Sequence, residues 1–371
     1  MMDILRLYRS VFECRLVFYL RGHLATLRTN LREDSFFPER ERKSYPVRLA
    51  DNIRWYILHG EINPYYNSYG FDVKGLRDQR RYLAYRRFRI ERNNGNLALS
   101  SAYGYNYICV LRDKVLFSSY MAGVLGARYV PENIGRLLPD GTVHRFGAEH
   151  APAPLHEILA AESGDLFIKK LNGQCGEGCF LLENAAERDL VVNGEPMTVE
   201  EFLRHTAGSE FVVQRRISQH EALEKLNPSC LNTVRIVTIL GRSGGRPVIF
   251  GQFLRLGVDS VMDNRAAGGI AVRIDDGGVL RGDGFGHHFR CRAHPVTGEI
   301  FDGRPIPFWT DIQQLVFKAH DALRDIPAIG WDVAVTPTGP LLIEGNDNWE
   351  LCGFQDTAGG MKERWRRLRN A

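Results

Sequence analysis

The sequence lacks the signatures of several large classes of protein. Its seven cysteines are scattered and include no Cys-x-x-Cys pair, which excludes the usual zinc sites and disulfide frameworks. No apolar run is long enough to span a bilayer, and no signal peptide is recognisable. Because disulfides are rare in reducing compartments, an odd cysteine count without a secretory signal leads us to expect a cytoplasmic protein.

Repeats and low-complexity segments are absent as well. The composition, 44% hydrophobic and 25% charged, is typical of a soluble globular protein. A chain of 371 residues can form two or three compact units, so its function must be sought in local motifs.

Positive charge is concentrated at the two ends of the chain. Residues 1–92 carry 17 Arg and 2 Lys against 11 Asp and Glu, and residues 362–369 carry a net charge of +4. The arginines alternate with apolar residues at helical spacing and no RNA-binding signature accompanies them, so we do not expect a nucleic-acid partner. Residues 1–31 predict a basic amphipathic helix, for which packing on its own domain is favoured over peripheral membrane contact.

The remaining pattern predicts an α+β fold. Residues 77–92 indicate a basic helix that Asn93-Asn94-Gly95 should end, and Asp113 should begin a helix that stops at Gly126. Beyond these we predict a helix over 311–323 and strands over 165–171, 210–216, 231–240, 247–256 and 269–274.

The most informative stretch lies near the C-terminus, where two apolar runs flank Thr336-Pro337-Thr338-Gly339-Pro340. This pattern predicts a β-hairpin closed by a five-residue loop. Centring the loop places Asp332 opposite Glu344, with Asn346 on the same face. The other face should be filled by Val333, Val335, Leu341 and Ile343.

Asp332, Glu344 and Asn346 thus supply oxygen ligands on one side of a small sheet. Mg²⁺ prefers one or two carboxylates together with substrate phosphates, so the hairpin indicates a Mg²⁺–nucleotide site. The alternative is an acidic hairpin face that is only solvated.

A glycine-rich loop follows the strand predicted over 165–171. Such a loop can present backbone N–H groups to a phosphate chain, although the absence of Gly-Lys-Ser/Thr shows that it is not a P-loop. Neighbouring strand residues point to opposite faces, so only one of Lys169 and Lys170 can face such a site, and we favour Lys169. Packing is preferred over reactivity for the loop cysteines, Cys175 and Cys179.

Other polar residues lie at the predicted strands. Gln214 could present its amide to an adenine edge. Arg235 lies among β-branched residues, where it is either capped by a carboxylate or directed at an anion. Arg255 and Asn264 are further polar residues at the ends of predicted strands.

Histidines at two positions are further candidates, and a purely structural role is the alternative for each. His220 is a candidate for contact with ribose or substrate. The pair His287–His288 could bind a metal, but adjacent residues rarely chelate together.

The order of these motifs resembles the order found in the ATP-grasp superfamily and, within it, in the sugar-transfer-associated ATP-grasp proteins. The similarity covers residues 108–357 and is weaker over residues 50–107. The sequence departs from the family pattern at Lys170, where the family usually has proline. The matching motifs are Leu111-Arg112-Asp113-Lys114, Phe167-Ile168-Lys169, Val213-Gln214, Asn232-Thr233-Val234-Arg235, Ala267-Gly268-Gly269-Ile270, His294-Pro295-Val296-Thr297-Gly298, and Gly330-Trp331-Asp332 through Glu344-Gly345-Asn346.

The resemblance implies two α+β lobes that grip ATP, preceded by a largely helical region. We expect this N-terminal region over 1–107, a first lobe with a mobile lid over 108–213, and a second lobe over 214–371. The implied ATP contacts are Lys114, Lys169, Gly173, Gly176, Gly178 and Gln214. The implied Mg²⁺ ligands are Asp332, Glu344 and Asn346, and the implied catalytic residues, which would stabilise transferred phosphate or a substrate carboxylate, are Arg235, Arg255 and Asn264.

The activity implied by the resemblance is ATP-dependent ligation of a carboxylate to an amine or thiol through an acyl phosphate. Electrostatic positioning does most of the work in phosphoryl transfer, so no covalent protein nucleophile is required. The alternatives are a kinase that phosphorylates a hydroxyl acceptor and a non-catalytic nucleotide-binding protein of a glycan-assembly pathway.

Overall fold

The computed structural model describes residues 19–102, 107–147, 151–162, 164–171, 173, 177–183, 189–241 and 245–370. Its N-terminal region consists mainly of helices, as predicted: α1 over 19–32, α2 over Tyr45–His59 and α3 over Tyr85–Ala102. None of the described helices combines the length and the apolar character needed to cross a membrane.

Sheet A is the first of two antiparallel sheets in the described residues. Its strands, in chain order, are β1 (Asn133–Leu137), β2 (Thr142–Arg145), β3 (Ala153–Pro154), β4 (Leu166–Lys170), β5 (Cys179–Glu183), β6 (Asp189–Val192), β7 (Glu195–Thr198) and β8 (Phe211–Arg215). Their spatial order is β3-β2-β1-β8-β4-β5-β6-β7. Helices α6 (Leu155–Ala161) and α7 (Val199–Thr206) supply buried apolar side chains to the core on this sheet.

Sheet B contains the remaining named strands of the described chain. They are β9 (Thr233–Ile239), β10 (Val248–Leu256), β11 (Ile270–Ile274), β12 (Leu280–Phe285), β13 (Arg290–Cys291), β14 (Ala328–Thr336) and β15 (Gly339–Asn346), in the spatial order β13-β12-β11-β10-β9-β14-β15. The helices between and before them are α4 (Ile108–Arg112), α5 (Lys114–Leu125), α8 (Glu221–Leu226) and α9 (Trp309–Asp321).

The largest core lies between sheet B and these helices. Leu111, Phe117 and Met121 from α4 and α5 are buried in the same cluster as Trp331 and Val333 of β14. Helices α4 and α5 therefore share the core of sheet B, although they precede sheet A in the chain. The expected division at residues 107/108 and 213/214 stays a prediction.

A third core joins α3 to the C-terminal segment. Helix α10 spans Cys352–Ala358 and α11 spans Lys362–Asn370. Phe88 of α3 packs at centroid distances of 5.0 Å from both Trp349 and Trp365. The basic C-terminal segment is therefore anchored by a buried tryptophan.

The predicted helix that begins after Asp113 is confirmed. The Asp113 carboxylate accepts hydrogen bonds from the backbone N–H groups of Val115 and Leu116, both at 2.9 Å, which caps α5 at its N-terminus. The predicted strands correspond to β4, β8, β9, β10 and β11, and the predicted helix over 311–323 corresponds to α9.

The helix predicted over 77–92 was placed wrongly. Residues Gln79–Arg81 form a short 3₁₀ turn, and α3 begins only at Tyr85 and continues through Asn93-Asn94-Gly95. Tertiary contacts hold α3 past this turn-prone sequence, because Arg92 donates to the Trp349 carbonyl and the Asn96 amide donates to the Asp347 carbonyl at 3.1 Å.

The prediction of a five-residue hairpin loop was also wrong. Thr336 pairs with Gly339, so the loop contains only Pro337 and Thr338, and the Thr336 hydroxyl donates to the Gly339 carbonyl at 2.8 Å. The pairing of Asp332 with Glu344 is nevertheless confirmed, because the register shifts by one residue between Asp332 and Val333.

This β-bulge changes which residues reach the core. Leu342, opposite Val333, is buried, whereas Leu341 and Ile343 are only partly buried and lie outside the main core cluster. The prediction that Leu341 and Ile343 share the core face with Val333 was therefore wrong.

Candidate functional site

One large cavity lies where sheet A, sheet B and the N-terminal region meet. Its volume of about 1300 Å³ exceeds the few hundred to 1,000 Å³ of most small-molecule pockets, so it has room for more than one ligand. Most of the residues singled out in the sequence line it: Lys114, Lys169, Gly173, Gln214, Arg235, Arg255, Asn264, Asp332, Glu344 and Asn346. Gly178 and His220 are not among its lining residues, and Gly176 lies outside the described residues.

Asp332 is held by two arginines on neighbouring strands. Arg235 donates to both carboxylate oxygens, with Nη2 at 2.8 Å from Oδ2, and Arg255 Nη1 lies 2.8 Å from Oδ2. Burial raises the pKa of Asp332, but the two guanidinium groups outweigh this effect and hold that pKa well below its usual range. Arg235 is thus capped by a carboxylate, which was one of the two alternatives for it.

Arg255 connects Asp332 to a further carboxylate that the motifs did not indicate. Its Nη2 lies 2.8 Å from Oδ1 of Asp263, and Asp263 also accepts hydrogen bonds from the backbone N–H and the hydroxyl of Thr233. Only the register of β9 and β10, which pairs Arg255 with Thr233, brings Asp263 to this position.

Glu344 has a different environment, although it lies directly opposite Asp332. Among the described residues it forms no ion pair, and the Asn346 side-chain amide lies 3.2 Å from its Oε1. Burial, and then the neighbouring Asp332 carboxylate, raise the pKa of Glu344. A cation placed beside Glu344 would remove this electrostatic cost.

The donor set fits Mg²⁺. Asp332 and Glu344 face each other across the hairpin, and the Asn346 amide nitrogen donates to Glu344 at 3.2 Å and lies 3.5 Å from Asp332. Rotation of this amide by 180° would place its oxygen beside both carboxylates. The described residues contain no cluster of three or more His, Cys, Asp or Glu arranged to hold a metal ion. Two carboxylates, one amide oxygen and ligand phosphates suit Mg²⁺, which keeps few protein ligands.

Lys169 and Lys170 face different surroundings. Lys169 lines the cavity and pairs across the strands with Cys179, whereas Lys170 Nζ lies 3.2 Å from the exposed Glu177. Burial lowers the pKa of Lys169 and raises the pKa of the Cys179 thiol. Cys175 lies outside the described residues.

Lys114 occupies the first position of α5, where the Asp113 cap fixes the helix. Its ammonium donates to the Gly173 carbonyl at 2.9 Å, which joins the helix to the glycine-rich loop. In that loop Gly178 has a φ of +67°, and an added Cβ would lie 2.8 Å from the Cβ of Lys170, so this turn requires glycine.

Gln214 lies on the cavity wall in β8, and its side chain is already engaged. Its amide donates to Asn133 Oδ1 at 2.6 Å, and Asn133 in turn donates to the Ser118 hydroxyl. Asn133 was not identified from the sequence, because it becomes a neighbour of Gln214 only when β1 pairs with β8.

The remaining candidates have mainly structural contacts. Asn264 Oδ1 caps a 3₁₀ turn by accepting from the Ala267 N–H at 2.6 Å, and His220 Nδ1 accepts from the Ala222 N–H at the start of α8. His287 and His288 contact each other at the cavity edge, and His288 lies 3.9 Å from Glu33.

The described cavity wall contains two kinds of cation. Every arginine that lines it is in an ion pair with an aspartate or glutamate, including Arg112 with Asp347 and Arg265 with Asp356, at 2.7 Å each. Lys114 and Lys169 have no carboxylate partner among the described residues. These two lysines are therefore the available sites for an anionic ligand.

Comparison with known proteins identifies the family of this chain. A family model described as sugar-transfer associated ATP-grasp matches residues 100–369, whereas no curated protein gives a match. Solved structures that the chain matches include N5-carboxyaminoimidazole synthetase from Staphylococcus aureus complexed with ADP (9% identity, TM-score 0.39, covering 69% of this chain and 50% of that one).

Two further structures have similarly low scores. They are the biotin carboxylase domain of 2-oxoglutarate carboxylase from Hydrogenobacter thermophilus, with MgADP, ADP and bicarbonate (13% identity, TM-score 0.37, covering 71% and 46%), and N5-carboxyaminoimidazole ribonucleotide synthetase from Thermotoga maritima (11%, 0.34, 64% and 42%). The chain thus spans half or less of the length of these three proteins.

Proposed function

Because the chain belongs to the sugar-transfer-associated ATP-grasp family and has an α+β ATP-grasp fold, we propose that it is an ATP-dependent ligase. It would join a carboxylate to an amine, or to a thiol, and release ADP and phosphate. One observation carries the proposal: two lysines that have no carboxylate partner among the described residues line the same cavity as the Asp332–Glu344 pair.

The lysines provide the attraction for the nucleotide. Desolvation makes the charged form of Lys169 unfavourable, and a phosphate beside its ammonium would offset that cost. Lys114 lies at the N-terminus of α5, where the helix dipole adds positive potential. Phe167 and Ile343 line the same cavity and offer apolar surfaces for a base, beside the amide of Gln214.

Asp332, Glu344 and Asn346 would hold Mg²⁺, and the metal would supply charge neutralisation between the phosphates. Arg235 and Arg255 hold Asp332 ionised and fixed in orientation. We therefore assign both arginines to positioning the metal ligand. Asn264 would support this wall through its turn.

The proposed reaction balances without a protein nucleophile. A carboxylate oxygen of the substrate attacks the γ-phosphorus of ATP, the bond to the β–γ bridging oxygen breaks, and ADP leaves. The amine then attacks the acyl carbon of the acyl phosphate, inorganic phosphate departs, and the amine proton passes to solvent or to the departing phosphate. Closure of the glycine-rich loop would exclude water from the acyl phosphate.

The test is an assay with Mg-ATP and a panel of carboxylates, with and without amines or hydroxylamine. We expect ADP release that depends on a carboxylate, with hydroxylamine trapping a hydroxamate that mass spectrometry identifies. Phosphate bound stably to an acceptor hydroxyl would replace the ligase by a kinase. ATP binding without turnover on any carboxylate would contradict the ligase proposal and favour a non-catalytic nucleotide-binding protein.

The metal assignment is tested best at Glu344. Because Glu344 has no ion pair among the described residues, Glu344→Gln should reduce Mg-dependent turnover about 100-fold or more while leaving the free energy of unfolding unchanged. Asp332→Asn should also remove turnover, but it should lower stability as well, because the buried guanidinium of Arg235 loses its charged partner and that of Arg255 keeps only Asp263. Near-normal turnover in both variants would contradict a metal site on the hairpin.

A further inference from the structure

The side chain of Gln214 lies on the cavity face of sheet A. Gln214 of β8 pairs with Phe167 of β4, and both residues line the cavity. Their neighbours Ile168 and Val213 are buried in the core that α6 and α7 form on the other face of the sheet. Because successive side chains of a strand point to opposite faces, the Gln214 carboxamide is directed toward the cavity, beside the ring of Phe167.

The two polar atoms of this carboxamide have different surroundings. Gln214 Nε2 donates to Asn133 Oδ1 at 2.6 Å. Gln214 Oε1 accepts no hydrogen bond within the described residues, and it is not among their fully enclosed atoms that lack a partner, so it keeps accessible surface. Since Gln214 lines the cavity, this oxygen is an acceptor that a ligand can reach.

A chain of hydrogen bonds decides which of the two atoms faces the cavity. It begins on α5, where the Ser118 hydroxyl donates to the Lys114 carbonyl at 2.9 Å. A carbonyl can only accept, so the Ser118 oxygen is left to accept from the Asn133 amide nitrogen. The Asn133 oxygen must then face Gln214. This arrangement places the Gln214 nitrogen on Asn133 and leaves the Gln214 oxygen for the cavity.

Burial maintains the direction of this chain. Ser118 and Gln214 have only 4% and 5% of their surface exposed, and Asn133 is partly buried. Reversal of the Gln214 carboxamide would set its oxygen against the Asn133 oxygen with no donor between them, and such a buried contact is unfavourable. The fold therefore holds the acceptor in place before a ligand binds.

An acceptor fixed beside an apolar ring distinguishes purine bases by the group at C6. Adenine carries an amino group there, which can donate to the Gln214 oxygen. Hypoxanthine and guanine carry a carbonyl oxygen, which would oppose it. A site built to bond one hydrogen-bonding group rejects an analogue that lacks that group, because the protein atom is then left unpaired.

We propose that Asn133 and Ser118 are positioning residues that hold the Gln214 oxygen toward the nucleobase, and that this orientation selects adenine over 6-oxopurines. Neither residue lines the cavity, so both act through Gln214. The inference rests on the proposed function for the presence of a nucleotide in the cavity, but it concerns binding and does not depend on turnover.

The test is calorimetric titration of the full chain with Mg-ADP and with Mg-IDP, in which a carbonyl oxygen replaces the amino group at C6. We expect the wild type to bind Mg-ADP about tenfold or more tightly than Mg-IDP. Ser118→Ala keeps the contact between Asn133 and Gln214 but releases its direction, so the ratio of the two affinities should fall to about threefold or less. Asn133→Leu removes the contact and should lower the ratio similarly.

Two further variants separate positioning from a general structural role. Asn133→Asp keeps an acceptor for Gln214 Nε2, so it should restore the preference for Mg-ADP that Asn133→Leu loses. Gln214→Leu should remove the preference, and adding Asn133→Leu to it should change the ratio no further, since Asn133 acts only through Gln214. A purely structural role would change both affinities together and leave their ratio as in the wild type.

Three results would overturn the proposal. They are equal binding of the two nucleotides by the wild type, a preference for Mg-IDP, and an unchanged ratio in both Ser118→Ala and Asn133→Leu. A preference for Mg-IDP would show that the chain runs in the opposite direction, with the Gln214 nitrogen facing the base. All three leave the proposed function standing. Absence of binding of either nucleotide would instead contradict the proposed function, and this inference with it.

Discussion

At the scale of single residues, the site is decided by which charges are paired within the protein and which are left for a ligand. Asp332 and Glu344 are paired strand neighbours, yet two arginines hold Asp332 whereas Glu344 has no ion pair in the described chain. The same contrast separates Lys169, which has no carboxylate partner among the described residues, from Lys170, which lies beside Glu177. In the proposed function, these two charges, which have no ion pair among the described residues, are the ones that bind the nucleotide and its metal.

This contrast predicts unequal effects for the two adjacent lysines. Lys169→Met should weaken Mg-ADP binding by about tenfold or more, because it removes a cation from the cavity while keeping the apolar stem of the side chain. Lys170→Met is the matched control and should change the affinity by less than about twofold. Calorimetric titration with Mg-ADP measures both, and the reverse ranking would show that Lys170 faces the nucleotide.

A buried histidine away from the cavity predicts how stability depends on pH. His320 Nε2 donates to the Ile326 carbonyl at 2.9 Å, and Nδ1 accepts from the Thr238 hydroxyl at 2.6 Å, which itself accepts from Trp331 Nε1. Burial lowers the pKa of His320 to about 4. Below pH 6.5 the unfolded chain therefore binds a proton that the folded chain does not.

The stability from neutral His320 is thus complete above pH 6.5 and is lost as the pH falls toward 4. Its loss between pH 7 and pH 5 should be about 2 kcal/mol in urea unfolding. His320→Gln cannot titrate, so the variant should be less stable at pH 7 but should lose about 2 kcal/mol less than the wild type on acidification. Equal pH slopes for the two proteins would contradict a neutral buried imidazole.

At the scale of secondary-structure elements, short local devices set the positions of the site residues. The bulge in the hairpin keeps Asp332 opposite Glu344 although the loop has only two residues, and it leaves Ile343 lining the cavity. The Asp113 cap begins α5 immediately before Lys114, which contacts the glycine-rich loop. Both devices connect a local sequence signal to a position in the cavity.

The cap makes a prediction about the element as a whole. Asp113→Ala should lower the free energy of unfolding by about 1 kcal/mol, because the first N–H groups of α5 lose their acceptor. It should also weaken Mg-ADP binding severalfold, since Lys114 loses its fixed helical position. Asp113→Asn keeps an effective cap and should restore most of both quantities in urea unfolding and calorimetry.

At the scale of the whole molecule, the described part of the N-terminal region and the C-terminal helices pack together on sheet B. Gln355 of α10 accepts from the Leu83 N–H at 2.8 Å and donates to the Tyr69 hydroxyl at 3.0 Å, and Arg77 donates to the Gln355 carbonyl at 3.0 Å. Trp365 of α11 packs near both Phe88 and Trp349. The N-terminal region is thus attached to sheet B through the C-terminal helices.

This packing predicts that the basic tail stabilises the fold. Trp365→Ala should lower the free energy of unfolding by about 3–5 kcal/mol, because it opens a cavity in the core shared by α3, β10 and α11. Leu58→Ala, at a side chain that is largely exposed on α2, is the control and should change it by less than about 0.5 kcal/mol. A small effect of Trp365→Ala in urea unfolding would indicate a tail that serves only solubility.

Local pattern was sufficient for much of the fold and for the chemistry of the site. Short apolar runs identified β4, β8, β9, β10 and β11, the cap at Asp113 identified α5, and the hairpin identified three oxygen donors. These features are determined by the sequence alone, because each depends on hydrogen bonds and side-chain alternation between residues close together in the chain.

Tertiary structure decided what each of those residues contacts. Arg235 and Arg255 reach Asp332 across 97 and 77 positions, and Asp263 joins them through Arg255. The extent of α3 was also decided in this way, since Arg92 and Phe88 contact Trp349 far along the chain. Whether a buried charge or amide is paired depends on such distant contacts, and that pairing is what separates a structural residue from one left free for a ligand.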